Sequence, residues 1–181
     1  NKTGGSCTNL VSGHTATFSG HTGTITNVGS TANTFGSVSI SSGSTNVTNN
    51  YAITKANGTL TVTKAATANA GKCNSLTYNG ASQTLASGGS YVSYSNNSGT
   101  DAVDSSGNQK KYSVTVTADS NHTFSDGGTS TTLSCTIAKR ATTCTSGSSS
   151  KPWDGSALTD KTGGSCTNLV SGHTATFSGH T

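Results

Sequence analysis

The stretch KTGGSCTNLVSGHTATFSGHT occurs twice in this chain, at residues 2–22 and again, letter for letter, at residues 161–181. Self-similarity at a fixed spacing is typical of repeat architectures, in which each unit contacts mainly its neighbours. We therefore interpret the chain as one window on a tandem array, and we expect a long protein rather than a compact enzyme. The positions just before the two occurrences differ, Asn1 against Asp160, and the sequence does not explain that difference.

The composition leaves little material for a thick core or for helices. Only 29% of the residues are hydrophobic and 9% are charged; the chain contains one Pro and no Met, and Glu is absent. Thr, Val and Tyr favour strands, whereas good helix formers are scarce. Apolar residues alternate with polar ones in short strings bounded by Gly, Asn and Ser, which favours folded antiparallel sheets over a disordered stalk. We predict an all-β fold of antiparallel sandwiches with thin cores.

The alternating strings place the predicted strands. Two of them flank Asn57-Gly58, and we predict a β-hairpin there, because this dipeptide tolerates the positive φ that a type I′ turn needs at both central residues. Ile53, Leu60 and Val62 would then share one buried face. Further strands are predicted at residues 10–18, 23–28, 35–40, 75–78, 91–94, 112–117 and 131–138.

Two similar phrases divide the chain into modules, since TLTVTKA ends at Ala65 and LSCTIAKRA ends at Ala141. Each is followed by an opening in which an aromatic residue precedes a turn dipeptide, Tyr78-Asn79-Gly80 in one case and Trp153-Asp154-Gly155 in the other. The segment that opens at Trp153 would be continued by the next copy of the repeat. We therefore assign module A without its first strand to residues 1–64, the complete module B to residues 65–140, and the first part of the next module A to residues 141–181.

Five cysteines in so polar a chain suggest an oxidising compartment, where small domains with thin cores are commonly stapled by disulfides. Cys7 and Cys166 occupy the same position of successive copies, which leaves four cysteines per repeat. Four cysteines can pair in three ways, and the division into modules favours Cys73 with Cys135 and Cys144 with Cys166. Cys7 would then pair with a cysteine of the preceding copy. Free or metal-bound thiols are the alternative, although the chain has no CxxC pair.

The order of several motifs resembles a known family. The opening KPWDG at residues 151–155, a GHT-containing strand at His14 or His173, and the phrases VGSTANTF, VTNNYAIT and NGTLTVTKA are similar to the bacterial MBG or YDG-type immunoglobulin-like repeats of large surface adhesins. LTYNGASQTL and SVTVTADSNHTFSDGGTSTTLSCTIAK resemble the companion Ig-like repeats of such proteins. Trp153 departs from the family's usual Tyr, and cysteines are not general in it. The resemblance implies an extracellular, non-catalytic array of tandem Ig-like antiparallel β-sandwich modules.

Candidate catalytic and metal-binding groups are few. His14, His21 and Cys7 lack the close spacing of zinc ligands, and a cysteine expected in a disulfide cannot act as a nucleophile. The six carboxylates are scattered among Gly, Asn and Ser, whereas acid and base catalysis by a pair needs two converging carboxylates. Asp101 and Asp104 could hold Ca²⁺ weakly in a loop, whereas Asp126 and Asp154, each followed by Gly, are expected to be ordinary turn residues. We expect no enzyme activity, no metal and no cofactor.

The charge and hydropathy patterns bear on partners and location. The net charge of +4 is dispersed except at Lys110-Lys111 and Lys139-Arg140, and neither pair has the aromatic platform of a nucleic-acid binder beyond Tyr112. No apolar run is long enough to span a bilayer, so we expect any targeting segment to lie outside the window. The expected partners are neighbouring copies of the repeat, outside the cell. Candidate acceptors for N-linked glycans are Asn1, Asn46, Asn57, Asn96 and Asn121.

We predict a mechanical function, in which repeated modules form the stalk of an adhesin or a filament of the cell surface or biofilm matrix. Trp153 is expected to be a core or interdomain plug, because a ring of this size buries about 150 to 250 Å². One alternative is a module in which exposed Tyr, Trp153 and loop Asn residues bind a glycan or a partner. Another is a subunit that polymerises head to tail, with residues 141–159 supplying the strand that residues 1–64 lack.

Overall fold

The computed structural model describes residues 4–159 and 163–178 as a set of short β-strands. One 3-10 turn, Thr48–Asn50, interrupts them, and the described residues contain no α-helix. The strands are β1 (His14–Ser19), β2 (Gly29–Asn33), β3 (Ser37–Ser42), β4 (Thr45–Asn46), β5 (Gly58–Val62), β6 (Lys72–Cys73), β7 (Leu76–Thr77), β8 (Gln83–Thr84), β9 (Ala86–Ser87), β10 (Val92–Ser95), β11 (Ser98–Gly99), β12 (Tyr112–Ala118), β13 (Ser130–Cys135), β14 (Ile137–Ala138), β15 (Thr143–Ser146) and β16 (Gly164–Thr167).

Each pairing between named strands joins residues of one of three segments. Residues 4–64 contain the sheet β1-β3-β4 and the pair β2-β5. Residues 65–140 contain the sheet β10-β12-β13 and the pairs β6-β9, β8-β11 and β7-β14, and the last segment contains β15-β16. All of these pairings are antiparallel except β7-β14, which is parallel. The prediction of an all-β fold with antiparallel sheets is confirmed.

The buried core is distributed very unevenly. Of the ten buried apolar side chains in the described part of the chain, all but Ile40 lie in residues 65–140. The alternation in YSVTVTA explains why, because β12 is the central strand of its sheet and turns Val114, Val116 and Ala118 to the same covered face. Ile137 in β14 is also fully buried. Module B therefore has a closed core, and residues 4–64 do not.

The predicted hairpin at Asn57-Gly58 is wrong. Neither residue has the positive φ that a type I′ turn requires, and residues 52–57 form no strand. Instead β5 begins at Gly58 and pairs with β2 from Gly29 opposite Val62 to Asn33 opposite Gly58. The longer-range partner satisfies the backbone of β5, so a local turn is not needed.

The predicted strand at residues 23–28 is also wrong, because the strand in this region is β2. The preceding residues run close against β2 and β5 without joining their ladder. A Cβ atom on Gly23 would lie 2.9 Å from the Cα atom of Asn33 and 2.9 Å from a methyl group of Leu60. Glycine is thus required at this approach, which alternation of apolar residues does not reveal.

Two disulfides cross-link the described residues. Cys73 in β6 is bonded to Cys135 in β13, and Cys144 in β15 is bonded to Cys166 in β16. These are the pairs that the division into modules favours. Their sequence separations are 62 and 22 residues, for which the chain-entropy model gives about 4 and 3 kcal/mol of stabilisation respectively.

We expect Ile137→Ala to lower the free energy of unfolding of module B by about 2–5 kcal/mol, because it leaves a cavity at a fully buried site. Val11→Ala is the control, since Val11 is 60% exposed and lies outside module B; its effect should stay within about 0.5 kcal/mol. Native-state amide exchange of β12 measures both values. Equal effects of the two variants would contradict a closed core in residues 65–140.

Candidate functional site

The two occurrences of the repeated segment fold into the same local turn. Asn9 and its counterpart Asn168 both have φ of 61°, and Gly13 and Gly172 both have φ of 82°. The backbone N–H of His14 donates to the Val11 carbonyl at 3.0 Å, and the same bond recurs from His173 to Val170 at 3.0 Å. The segment therefore carries its own turn, whatever its surroundings.

The strand pairings of the two occurrences are complementary. In the first, residues 5–8 form no strand, whereas β1 pairs with β3 over six positions, from His14 opposite Ser42 to Ser19 opposite Ser37. In the second, β16 pairs with β15, and residues 173–178 form no strand. Each occurrence therefore uses the half that the other leaves unpaired, so the segment as a whole can bind two partners.

The second occurrence is held at the end of module B by specific contacts. The Cys144–Cys166 disulfide joins residues directly opposite each other in β15-β16. The Arg140 guanidinium donates to the Asn168 backbone carbonyl at 2.6 Å and to its side-chain oxygen at 2.7 Å. The Asn168 amide donates in turn to the Ala141 carbonyl at 2.7 Å. Because the left-handed turn at Asn168 presents these groups, the turn fixes the start of the last segment against module B.

An apolar contact supplements these hydrogen bonds. Val170 packs over Gly80, where a Cβ atom would approach the Val170 side chain to 2.8 Å. The His173 ring lies 5.9 Å from the ring of Tyr78, centroid to centroid. A cavity of about 420 Å³ opens beside this contact, between Arg140, Leu169 and Ala102. The junction is thus a small interface with both a polar and an apolar part.

The first occurrence lacks all of these contacts. Cys7, the counterpart of Cys166, is a free thiol. Asn9 is exposed, and Val11, the counterpart of Val170, is 60% exposed. Its turn is held instead by Tyr51, whose hydroxyl lies 2.6 Å from Nδ1 of His14 and accepts the Val11 backbone N–H at 3.2 Å. The same residues are therefore engaged at one end of the chain and unengaged at the other.

A groove lies directly beside Cys7. Its volume is about 610 Å³, and apolar side chains line much of it, including Phe18, Phe35, Ile40 and Ile53. Phe18 and Phe35 meet edge to face with ring centroids 5.2 Å apart. Ile40 is the one fully buried apolar side chain of the described residues before Ala65. This groove is where the core of residues 4–64 stays open, and we refer to it as the module A groove.

Trp153, which was expected to be a core or interdomain plug, covers no core within this chain, because the residue is 93% exposed. The turn that follows it nevertheless matches the turn after Tyr78. The Ser156 backbone N–H donates to Oδ1 of Asp154 at 3.0 Å, as the Ala81 backbone N–H donates to Oδ1 of Asn79 at 2.9 Å. Gly155 and Gly80 share a φ of 78°. The two openings therefore have the same backbone turn, but only Tyr78 packs against a core.

The other exposed aromatic, Tyr91, lies in module B. Its ring is 55% exposed and stacks on the ring of His122 at 3.9 Å between centroids. Nδ1 of His122 lies 2.5 Å from Oδ1 of Asp119, and this hydrogen bond lowers the pKa of the Asp119 carboxyl. Since one face of Tyr91 is covered by His122, Trp153 is the most open aromatic surface described.

The histidines and carboxylates considered for metal binding do not converge. His14 contacts Tyr51, whereas His21 lies beside Phe35 and neither of its ring nitrogens has a hydrogen-bond partner. Asp101 pairs with Lys110 at 2.9 Å, which raises the pKa of Lys110. Asp104 accepts two backbone N–H bonds within its own turn. Across residues 4–159 and 163–178, no three His, Cys, Asp or Glu side chains are placed to share a metal ion.

The candidate glycan acceptors differ in availability. Asn46, Asn57 and Asn96 are exposed. Asn121 is half-buried; its side-chain oxygen accepts the Val28 backbone N–H at 2.9 Å and its amide donates to Asn27 at 3.2 Å. Asn121 therefore ties module B to residues 4–64, a role that sequence reasoning missed. Asn1 lies outside the described residues.

Comparison with known proteins gives no relatives: no family model, curated protein or solved structure matches this chain. Within the described ranges, no helix has the length and apolar character needed to cross a membrane.

The turn that carries Trp153 should loosen in acid. Hydrogen bonds from Lys151 and Ser156 lower the pKa of Asp154 from 3.8 to about 2, with the Lys151 ammonium 2.8 Å from the carboxylate. Because the pKa is depressed in the folded turn, the carboxylate stabilises the turn fully above pH 3.8 and progressively less as the pH falls toward 2. We expect the Ser156 amide resonance to titrate with a midpoint near 2. In Lys151→Ala the midpoint should rise toward the ordinary value, and an unchanged midpoint would contradict the ion pair.

Proposed function

We propose that this chain is a structural repeat unit of an extracellular adhesin stalk or of a surface or matrix filament, in which disulfides reinforce each module. The observation that carries the proposal is the complementary pairing of the two identical segments. One occurrence uses its second half to complete the sheet of residues 14–46, and the other uses its first half to pair with β15. A segment able to bind on both sides is what links successive units of an array.

The proposed module type is an Ig-like antiparallel sandwich of the MBG or YDG kind. Module B supports it with a central strand, β12, covered on one face by apolar side chains. The Cys73–Cys135 disulfide and the parallel pair β7-β14 tie the start of the module to its end. The early strand β7 and the last strand β14 of this module lie side by side and run in the same direction. The chain therefore enters at one end of this strand pair and leaves at the other, which suits modules stacked in a line.

An extracellular location is supported by the disulfides, which form and persist in oxidising compartments and are rare in the cytosol. The core supports the same conclusion, because module B buries nine apolar side chains, several of them alanines, and depends on covalent support. We estimate about 4 kcal/mol from the Cys73–Cys135 bridge, against a net stability of about 5–15 kcal/mol for a typical domain.

A filament also explains the absence of convergent chemistry among the described side chains. Ser, Thr, Asn and Gly dominate the exposed positions, and the ion pairs found there, such as Lys110 with Asp101 and Lys151 with Asp154, stand apart from one another. Isolated surface pairs add little stability and offer no site for catalysis. A non-enzymatic, mechanical role is the function that such a surface fits best.

A second candidate is supported by the exposure of Trp153. An indole that is 93% exposed and held on an ordered turn is a suitable platform for a sugar ring or a partner protein. If the module binds glycans, oligosaccharides added to dilute chain should shift the emission of Trp153, the one tryptophan present. Emission that stays unchanged over a broad panel of oligosaccharides would contradict glycan binding at Trp153 and favour the structural role.

The location and periodicity can be tested with antibodies to residues 65–140. On cells that make the protein, we expect immunogold label outside the envelope and repeated along each filament, because every unit contains module B. The intact mass of the mature polypeptide then separates a covalent array from short subunits. Label confined to the cytoplasm, or to filament tips alone, would contradict the proposal.

The mechanical role of the Cys73–Cys135 bridge can be tested by stretching the oxidised chain between its ends. The bridge should shield the residues it encloses, which are 62 positions apart. Reduction of both disulfides should add roughly 280 Å to the fully extended length, of which roughly 205 Å comes from this bridge and roughly 75 Å from the Cys144–Cys166 bridge. Cys73→Ser/Cys135→Ser is the matched control, because it should already show the roughly 205 Å gain without reductant and lengthen by only roughly 75 Å when reductant is added. Extension that is independent of reductant in the unaltered chain would rule out load-limiting by this bridge.

A further inference from the structure

We propose that the module A groove binds residues 140–158 of a second copy of the repeat, with Cys7 replacing Cys166 as the disulfide partner of Cys144. This inference rests on the proposed array, and it identifies the interface that joins one unit to the next. Both partners are described surfaces of this chain: the groove beside Cys7, and the segment that carries β15 and the exposed Trp153.

The proposed exchange replaces one segment by another of identical sequence. Residues 163–178, which now pair with the β15 segment, are identical in sequence to residues 4–19. Residues 4–19 also have the same left-handed turn at Asn9 and the same backbone bond at His14. Residues 4–19 of one copy can therefore take the place of residues 163–178 in the other copy. There they can pair with β15, accept the hydrogen bonds from Arg140 and place Val11 against Gly80.

The exchange also adds contacts between the module A groove of one copy and the segment after β15 of the other. Residues 4–19 are continuous with the rest of module A, and β1 is already paired with β3. Docking of residues 4–19 therefore places the module A groove of the same copy next to the segment that follows β15 in the other copy. Trp153, exposed in this chain, and the open face of Phe18, Phe35 and Ile40 are brought into the same module.

Module B provides the template for how the two surfaces meet. There the opening strand β7 pairs in parallel with the closing strand β14, and the Tyr78 backbone N–H donates to the Ala138 carbonyl at 2.9 Å. Tyr78 then packs against the buried core of module B. Trp153 follows the same turn pattern as Tyr78, so its ring is placed to cover the corresponding core of module A.

The closing strand of module A is available for this pairing. TVTKA at residues 61–65 corresponds to TIAKR at residues 136–140, which makes Val62 the counterpart of Ile137. Ile137 is fully buried, whereas Val62 is only half-buried. Among the strands described, β5 pairs with β2 alone. Its second edge therefore corresponds to the edge of β14 that β7 occupies in module B.

The covalent step is a thiol–disulfide exchange that balances without an added oxidant. The Cys7 thiolate of one copy attacks the Cys144 sulfur of the other, a Cys7–Cys144 bond forms, and the Cys144–Cys166 bond breaks. The electron pair leaves with Cys166, which becomes the new thiolate and takes up a proton. The free Cys166 then belongs to a segment that has been displaced from β15.

The test uses the 181-residue chain with Cys166→Ser, which leaves Cys7 and Cys144 unpaired. Equal amounts of isotope-labelled and unlabelled chain are mixed, oxidised and digested. We expect cross-linked peptides that join Cys7 to Cys144, many of them carrying one labelled and one unlabelled half. Trp153 emission should shift to shorter wavelength as concentration rises, because the indole leaves water for the groove.

Matched variants in the same Cys166→Ser background separate docking from random oxidation. Ile53→Asp places a charge in the groove at a residue that is already 37% exposed, so the fold can tolerate it. It should weaken association at least about tenfold and abolish the emission shift. Ser44→Asp adds the same charge at the exposed turn between β3 and β4, away from the groove, and should leave both readouts unchanged.

The outcomes separate this inference from the proposed function. Mixed-label Cys7–Cys144 peptides with a groove-sensitive emission shift support it. Cross-links that form equally in Ile53→Asp, cross-links confined to single chains, or Trp153 emission that does not depend on concentration would overturn it. In each of those cases, antibody label that still repeats along extracellular filaments would leave the structural role standing with a different junction.

Discussion

The structure depends on one constraint: an apolar sheet face must be covered by a second layer. Module B meets it within its own residues, since β12 lies between β10 and β13 and its inward valines are fully buried. Residues 4–64 do not meet it, because the sheet β1-β3-β4 buries only Ile40 fully and leaves a groove of about 610 Å³ beside it. The difference does not lie in strand-forming ability, because β1 and β3 pair over six positions. It lies in coverage, because the apolar face of residues 4–64 is left open along the module A groove.

The repeated segment shows how strongly strand formation depends on a partner. The letters HTATFS form β1 at His14–Ser19 and form no strand at residues 173–178, whereas GSCT forms β16 at Gly164–Thr167 and no strand at residues 5–8. Intrinsic preference is identical in the two places, so only the neighbouring strand can account for the difference. The turn between the two halves is constant, since Asn and Gly at its left-handed positions define it locally. The segment thus combines a fixed turn with two strands that form only against partners.

The same distinction explains what the sequence could and could not predict. Strand class and approximate strand positions such as β12 and β13 were accessible, because alternation and turn residues are local signals. The hairpin at Asn57-Gly58 was not, since β5 takes β2 as its partner across an intervening sheet. The junction was missed as well. Arg140 was considered only as part of the basic pair Lys139-Arg140, although it bonds Asn168, and Asn121 only as a glycan acceptor, although it bonds Val28 and Asn27. No motif indicates either contact, and only three-dimensional placement reveals it.

The arrangement of bonds determines how force would pass through such a chain. The first half of the segment, as seen in the second occurrence, is attached to the preceding residues by the Cys144–Cys166 disulfide and by the hydrogen bonds from Arg140 to Asn168. The second half, as seen in the first occurrence, forms β1 and is attached to β3 by an antiparallel ladder of six positions. A single segment with both attachments would join the disulfide-bonded pair β15-β16 directly to the sheet that contains β3, with no flexible linker between them. In the proposed array each unit would then be completed by its neighbour, and its stability would come largely from the interface, as in linear repeat proteins. A unit on its own would keep an open groove, so growth of the array and completion of the core would be the same event.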